Sequence, residues 1–141
     1  MKFLKPSIFY PKDYTSESVN IAKNTYDEYL KYLEYNRGKI DDTLYELYFL
    51  THSFHDFKIF DLKYDVSNEL NSKLTIGIGT EKNQYNIFFN AVENVSIKGC
   101  LNSAEDVVLC EIGIVKQSNY IYFYLANGCE ILLRFKNISV N

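Results

Sequence analysis

The sequence predicts an α+β fold, with an N-terminal helix pair packed on an antiparallel meander sheet of six to seven strands. Two observations carry this. Apolar residues recur every three or four positions up to about residue 52 and every second position from residue 56 onward. The links between the alternating runs are short and rich in turn residues, which forces antiparallel neighbours. The 141 residues suit one domain, and a hydrophobic fraction of 47% supplies its core. The expected division is an arm over 1–14, a helical part over 15–55 and a β part over 56–141.

The arm holds both prolines, Pro6 and Pro11. Proline fixes φ and removes a donor, so an extended segment is expected, packing Phe3, Ile8, Phe9 and Tyr10 on the body. Residues 16–36 form the clearest helix. Val19, Ala22, Tyr26, Tyr29, Leu30 and Leu33 share one face, which is expected to be buried. Thr15 or Ser16 can cap its start, and Gly38 can end it. A second helix is expected over 42–52. Thr43 and Glu46 have the spacing of a capping box, and Leu44, Leu47, Tyr48 and Thr51 form the buried face.

Seven alternating runs follow. They carry Phe60, Leu62, Tyr64 and Val66; Leu74, Ile76 and Ile78; Tyr85, Ile87 and Phe89; Val95 and Ile97; Val108, Cys110, Ile112 and Ile114; Ile121, Phe123 and Leu125; and Ile131, Leu133 and Phe135, continuing to Ile138 and Val140. Ser118-Asn119 and Asn127-Gly128 suit tight hairpins. Gly77 and Gly79 mark a strand that another part of the chain approaches closely. Phe88-Phe89-Asn90-Ala91-Val92 echoes Arg134-Phe135-Lys136-Asn137-Ile138, with a slip in alternation after the aromatic, as at a β-bulge. One sheet face is expected to be dry and roofed by the helices, the other wet.

Composition narrows the function classes. The net charge of −3 comes with scattered lysines and no basic run, against nucleic-acid or anionic-membrane binding. Cys100, Cys110 and Cys129 are odd in number and well separated, which reads as reduced, buried thiols rather than a disulfide framework. The first residues lack the apolar core of a signal peptide, and no run is long enough to span a bilayer, so a cytoplasmic protein is expected. Phosphate loops, dinucleotide fingerprints and nucleophile motifs do not occur. No catalytic residue, metal ligand set or cofactor is assigned.

Three candidate clusters remain. His52-Ser53-Phe54-His55-Asp56 holds both histidines of the chain beside a carboxylate at the helix-to-strand junction. Two histidines three apart can bind a divalent ion, but a zinc site needs a third ligand. As structure, the same residues suit a helix C-terminus and a strand start. Glu111 sits mid-strand as a partly buried acid, a solvent-facing position, or a partner for Lys116 or Arg134. Tyr120, Tyr122 and Tyr124 project from one face of one strand. If Ile121, Phe123 and Leu125 face the helices, the tyrosines face outward as a contact surface. The chain holds 13 tyrosines and no tryptophan, but abundance alone is not a binding signal.

A His-Asp pair opening a strand, Phe89-Asn90-Ala91-Val92, Cys110-Glu111-Ile112 and Glu130 through Ile138 resemble an uncharacterised bacterial family of unknown function. They are also similar to small immunity proteins of polymorphic toxin systems. The resemblance covers roughly residues 44–140 and carries over no catalytic residue. With the acidic charge, the absence of catalytic motifs and the tyrosine row, it points to a non-enzymatic protein-binding domain, an immunity protein neutralising a cognate toxin, with Tyr120, Tyr122, Tyr124, His55 and Asp56 as the expected binding set. The alternative is a metal-dependent or acid–base enzyme using His52, His55 and Asp56, with Glu111 as a further candidate. A structural subunit that homodimerises through an exposed sheet edge or face is the third reading.

Overall fold

The computed structural model describes residues 2–65, 72–101 and 104–141, so the expectation for Val66 lies outside the described residues. Three helices precede the sheet: α1 (Pro6–Phe9), α2 (Ser16–Tyr35) and α3 (Asp42–Leu50). The strands are β1 (Lys58–Asp65), β2 (Lys73–Gly79), β3 (Gln84–Asn90), β4 (Asn94–Lys98), β5 (Glu105–Val115), β6 (Ser118–Leu125), β7 (Glu130–Phe135) and β8 (Asn137–Val140). All are antiparallel, in the order β4-β7-β6-β5-β1-β2-β3-β8. Among the described residues the sheet thus has eight strands, because the last run splits at Lys136. It contains two meanders, β1-β2-β3 and β5-β6-β7, rather than one.

The echo between residues 88–92 and 134–138 marks where the sheet bends. β3 runs into β4 through Ala91-Val92-Glu93, and β7 runs into β8 through Lys136. These two bent segments pair with each other on both sides of the bend: Asn90 opposes Asn137, and Asn94 opposes Arg134. Both ends of the strand order are therefore continuations of inner strands, and the sheet rolls up on itself. A narrow β1–β5 seam, Lys58 to Asp106 and Ile59 to Glu105, completes the roll. At the bend, Phe89 meets Phe135 edge-on, with ring centroids 4.8 Å apart. Glu93 lies 3.0 Å from both Arg134 Nε and Lys136 Nζ and accepts from Ser118 Oγ at 2.9 Å. The bond from Lys136, then that from Ser118, holds the Glu93 carboxyl below its ordinary range.

Inside the roll, Leu74, Ile76, Ile78, Ile87, Ile112, Ile121, Phe123 and Leu133 are fully buried. The strands thus fill their own core. The helices do not roof a flat sheet; they cover an edge. β5 is longer than the seam, so among the described residues no strand lies on the second side of Cys110, Ile112 and Ile114. Helix tyrosines take that place. Tyr29 Oη donates to the Ile112 carbonyl at 3.1 Å and accepts from the Ile112 N–H at 2.8 Å. Tyr32 Oη does the same at Ile114, at 3.3 and 3.0 Å. Tyr48 Oη donates to the Cys110 carbonyl at 2.7 Å. Buried backbone groups without partners cost free energy, so these hydroxyls act as a missing strand.

Local chemistry differs from expectation in four places. Residues 6–9 form a helical turn, with Pro6 at its first position, where the missing N–H costs nothing. Thr15 and Ser18 cap α2 reciprocally, whereas Asp41, not Thr43, caps α3 by accepting from Leu44 N–H at 2.9 Å. The β5–β6 turn is Lys116-Gln117, both at positive φ, rather than Ser118-Asn119. Cys100 is exposed, while Cys110 and Cys129 are buried. The reading of Gly77 holds: a Cβ there would lie 3.2 Å from the Phe60 ring and from Asp61 Cβ.

Tyr29→Phe and Tyr48→Phe together leave carbonyl and N–H groups of β5 unpartnered. The double variant is expected to lose about 2–4 kcal/mol in urea unfolding. Tyr35→Phe, whose ring is 82% exposed, is expected to change stability by less than about 0.5 kcal/mol.

Candidate functional site

The loop from α3 into β1 is the most strained part of the described chain. His52, Ser53 and Phe54 are consecutively left-handed, with φ of 51°, 61° and 56°, and Asp56 follows at 65°. Each such residue costs about 1–2 kcal/mol for a side chain with a Cβ. Two things hold the turn. The Ser53 N–H reaches back to the Tyr48 carbonyl at 2.8 Å, and the Phe54 N–H to Thr51 at 3.1 Å, closing the end of α3. Phe54 then enters the core at 0% exposure, edge-on to Phe57 and Phe123. Burying one Phe contributes about 2–3 kcal/mol, which offsets part of the strain.

This turn forms one rim of a cleft of about 390 Å³. Leu4, Tyr48 and Cys110 are buried at its floor, Phe9, Val108 and Leu109 form walls, and Tyr26, His52 and His55 stand at the mouth. The cleft exists because β5 bulges at Val108, between the β1 seam and the first tyrosine bond at Cys110. Among the described residues, neither strand nor hydroxyl fills that interval. Burial pushes the Cys110 thiol far up, so it supplies no thiolate to the cleft.

The histidine cluster therefore meets only in part. His52 and His55 both reach the cleft, but Asp56 turns away and lines a separate surface pocket with Lys58, Glu81 and Gln84. The His55 Nδ1 to Asp56 Oδ2 contact, 3.2 Å, is exposed. Asp56 precedes the strand rather than opening it, because β1 starts at Lys58. Among the described residues, no three His, Cys, Asp or Glu side chains gather as a metal site.

The tyrosine row does not form the expected open surface. Ile121, Phe123 and Leu125 face the inside of the roll, so the tyrosines do lie on the outer face. Yet Tyr120 and Tyr122 are only 4% and 3% exposed. The Tyr120 ring lies flat over Gly113, where a Cβ would come within 2.6 Å of it, and Tyr122 Oη donates to Glu130 at 2.7 Å. Burial, then the neighbouring carboxylates Glu111 and Glu130, push both phenols well up. Only Tyr124 stays half-exposed, 6.5 Å from the ring of Tyr10. Tyr10 is itself raised by burial and then by Tyr14, Tyr124 and Asp56, so these four side chains share one neighbourhood.

Glu111 is neither solvent-facing nor paired with Lys116 or Arg134. It is 0% exposed and accepts from three consecutive backbone N–H groups, those of Lys2, Phe3 and Leu4, at 2.7, 2.8 and 2.6 Å. Tyr120 Oη donates a fourth bond at 2.6 Å. The carboxylate is thus saturated and clamps the arm over the outer face of β5. Phe3 then lies against Tyr29 and Tyr32, and Lys2 sits over the Tyr32 ring. A fully bonded acid has no lone pair free for proton transfer, so its role is positioning.

The site residues that sequence reasoning missed are Leu4, Phe9, Tyr26, Val108 and Leu109. The bulge at Val108 and the tyrosine-capped edge bring them together, and neither leaves a motif. Comparison with protein-family models and with curated proteins returned no match. No helix among the described residues is long and apolar enough to cross a membrane.

Two outcomes follow from this geometry. Glu111→Gln replaces two acceptor oxygens by one acceptor and an NH₂ group facing backbone donors. It is expected to cost about 3 kcal/mol in chemical unfolding and to speed amide exchange at Phe3 and Leu4. His52→Gly relieves a left-handed side chain without touching the core. It is expected to raise the urea midpoint by about 0.5 kcal/mol equivalent, once the freer unfolded chain is subtracted.

Proposed function

We propose that this chain is a non-enzymatic protein-binding domain that receives its partner at the cleft and the adjoining half of α2. One observation carries the reading. The apolar face of α2 is continuous, but only its second half is covered. Tyr29 and Leu33 are 0% exposed, whereas Val19 is 55% and Tyr26 40% exposed, with Ala22 between them half-buried. The first half overhangs the sheet, and its stripe leads through Tyr26 into the cleft. Tyr10 and Tyr14, 45% and 67% exposed, lie on the same N-terminal segment. Aromatic side chains around a concave apolar site are the usual make-up of an interface hot spot.

Tyr124, His55 and Asp56 adjoin this surface and stay in the proposed contact set. Tyr120 and Tyr122 support it from beneath. The particular version of the reading is an immunity protein that occludes a toxin. Its support is the short resemblance over residues 44–140 together with the acidic balance of −3, which suits a basic target. The enzymatic alternative has less to stand on, since Asp56 and the two imidazoles face different pockets and Glu111 is saturated.

The test is co-expression with the product of the adjacent open reading frame. The neighbouring product is expected to arrest growth alone, and this chain to restore it. Val19→Asp with Tyr26→Asp is expected to abolish the rescue while leaving the thermal midpoint within about 2 °C, since both positions are exposed. Full rescue by that variant would remove the proposed surface. Light scattering of the free chain reports whether a second copy occupies it instead.

A further inference from the structure

The two cysteines outside the cleft meet at the open end of the β4–β7 ladder. That ladder ends with Lys98 opposite Glu130. Gly99 and Cys129 come next and continue it: a Cβ on Gly99 would lie 3.3 Å from Cys129 Cα and 3.7 Å from Cys129 Cβ. Cys100 is therefore one step beyond the residue that faces Cys129. From the spacing across a ladder and the rise along it, such a pair lies roughly 6 Å apart at Cα, inside the range a disulfide spans. In a regular strand Cys100 would point to the face opposite Cys129. Gly99 has a φ of 94°, which turns the chain out of that alternation. The Asn127 carboxamide holds both cysteines: Nδ2 donates to the Cys100 carbonyl at 2.8 Å, and Oδ1 accepts from the Cys129 N–H at 2.9 Å. Burial, then Cys100, then Glu105 and Glu130 push the Cys129 thiol up, so Cys100 is its foremost ionisable neighbour. Cys110 is out of reach. It opposes Phe123, which opposes Ile131, so it lies two strands, roughly 10 Å, from β7.

We propose that Cys100 and Cys129 are an oxidation site, a thiol pair that a peroxide closes reversibly to a disulfide. Both are free thiols, Cys100 exposed and Cys129 buried, which assigns their order of reaction. The Cys100 thiolate attacks one peroxide oxygen. The O–O bond breaks, a sulfenic acid forms on Cys100, and the departing hydroxide takes up the thiol proton as water. The Cys129 sulfur then attacks the Cys100 sulfur. The S–S bond forms, the S–O bond breaks, and the hydroxyl leaves with the Cys129 proton as a second water. Two thiols and one peroxide thus give one disulfide and two waters, and a dithiol reductant reverses the change. The link has a mechanical consequence. β4 stands at one end of the strand order and pairs only with β7, through five residue pairs among the described residues. The disulfide fastens its end to the start of β7 and closes a loop of about 30 residues that holds β5 and β6.

The test treats the reduced full chain with an equivalent of hydrogen peroxide, alkylates the remaining thiols in denaturant and cleaves after glutamate. Cleavage after Glu93, Glu105, Glu111 and Glu130 puts the three cysteines on separate peptides, 94–105, 106–111 and 112–130. Mass spectrometry is expected to show 94–105 linked to 112–130, lighter than their sum by two hydrogens, with 106–111 alkylated. The oxidised chain is expected to melt about 5–10 °C above the reduced one, and dithiothreitol to abolish the difference. Cys100→Ser, at an exposed position, is expected to remove both the link and the peroxide-induced shift while moving the reduced midpoint by less than about 2 °C. In Cys129→Ser no second thiol intercepts the sulfenic acid, and Cys100 is expected to go on to the sulfinic acid. Sulfinic acid at Cys100 of the wild-type chain without a linked pair overturns the proposal. So does a link between Cys100 residues of two chains, a link that includes 106–111, or a correct link with no rise in the midpoint.

Discussion

The unpaired second edge of β5 is the constraint on which the rest of the structure depends. A strand longer than its neighbour leaves a row of N–H and C=O groups that must find partners. Here the row is answered by side chains: three phenol hydroxyls from α2 and α3 bond to Cys110, Ile112 and Ile114. A phenol can donate and accept at once, so one hydroxyl satisfies both backbone groups of a residue, as Tyr29 does for Ile112. The helices are therefore placed by hydrogen-bond geometry as much as by apolar burial. The Asp41 N–H adds a bond to Asn119 at the β5–β6 turn, fixing the link between α2 and α3 at the same edge.

That placement produces the surface features. To bring Tyr29 and Tyr32 onto β5, α2 must lie with its second half against the strand. Its first half then extends past it, and the apolar stripe at Val19 and Tyr26 is left uncovered. The arm is placed by the same strand from the other face, through Glu111 and the three N–H groups it holds. Where neither the tyrosines nor the seam reaches, at the Val108 bulge, the cleft opens. The strained turn at His52 to Phe54 stands over it because Phe54 must reach the core within a few residues of the end of α3.

The periodicity change near residue 56 was readable because alternation is a local property, and the α+β layout follows from it. The rolling of the sheet was present only as the echo of Phe89-Asn90 and Phe135-Lys136, since long-range pairing leaves no local period. The burial of Val19 and Tyr26 was overestimated, because a helical stripe shows which face is apolar but not how far a sheet extends beneath it. The histidine cluster was visible as a group. Its division between two pockets was not, because it depends on left-handed residues that carry no glycine to announce them. Glu111 stood out as an acid within an apolar run, but its partners are backbone groups more than 100 positions away, and backbone donors carry no sequence signal.

The abundance of tyrosine now divides into two physical roles. Tyr29, Tyr32, Tyr48, Tyr120 and Tyr122 each direct the hydroxyl at an internal acceptor, and phenylalanine cannot replace them without orphaning a buried group. Their rings are committed, so of the row on β6 only Tyr124 offers open surface. Tyr10, Tyr14, Tyr26, Tyr35 and Tyr64 have exposed rings, and of these Tyr10, Tyr14 and Tyr26 precede or lie on the part of α2 that the sheet leaves uncovered. An interface needs aromatic area that folding has not already used. By that criterion the proposed contact surface is better placed at the N-terminal helices and the cleft beneath them than on β6, because Tyr14 and Tyr26 keep open ring area there.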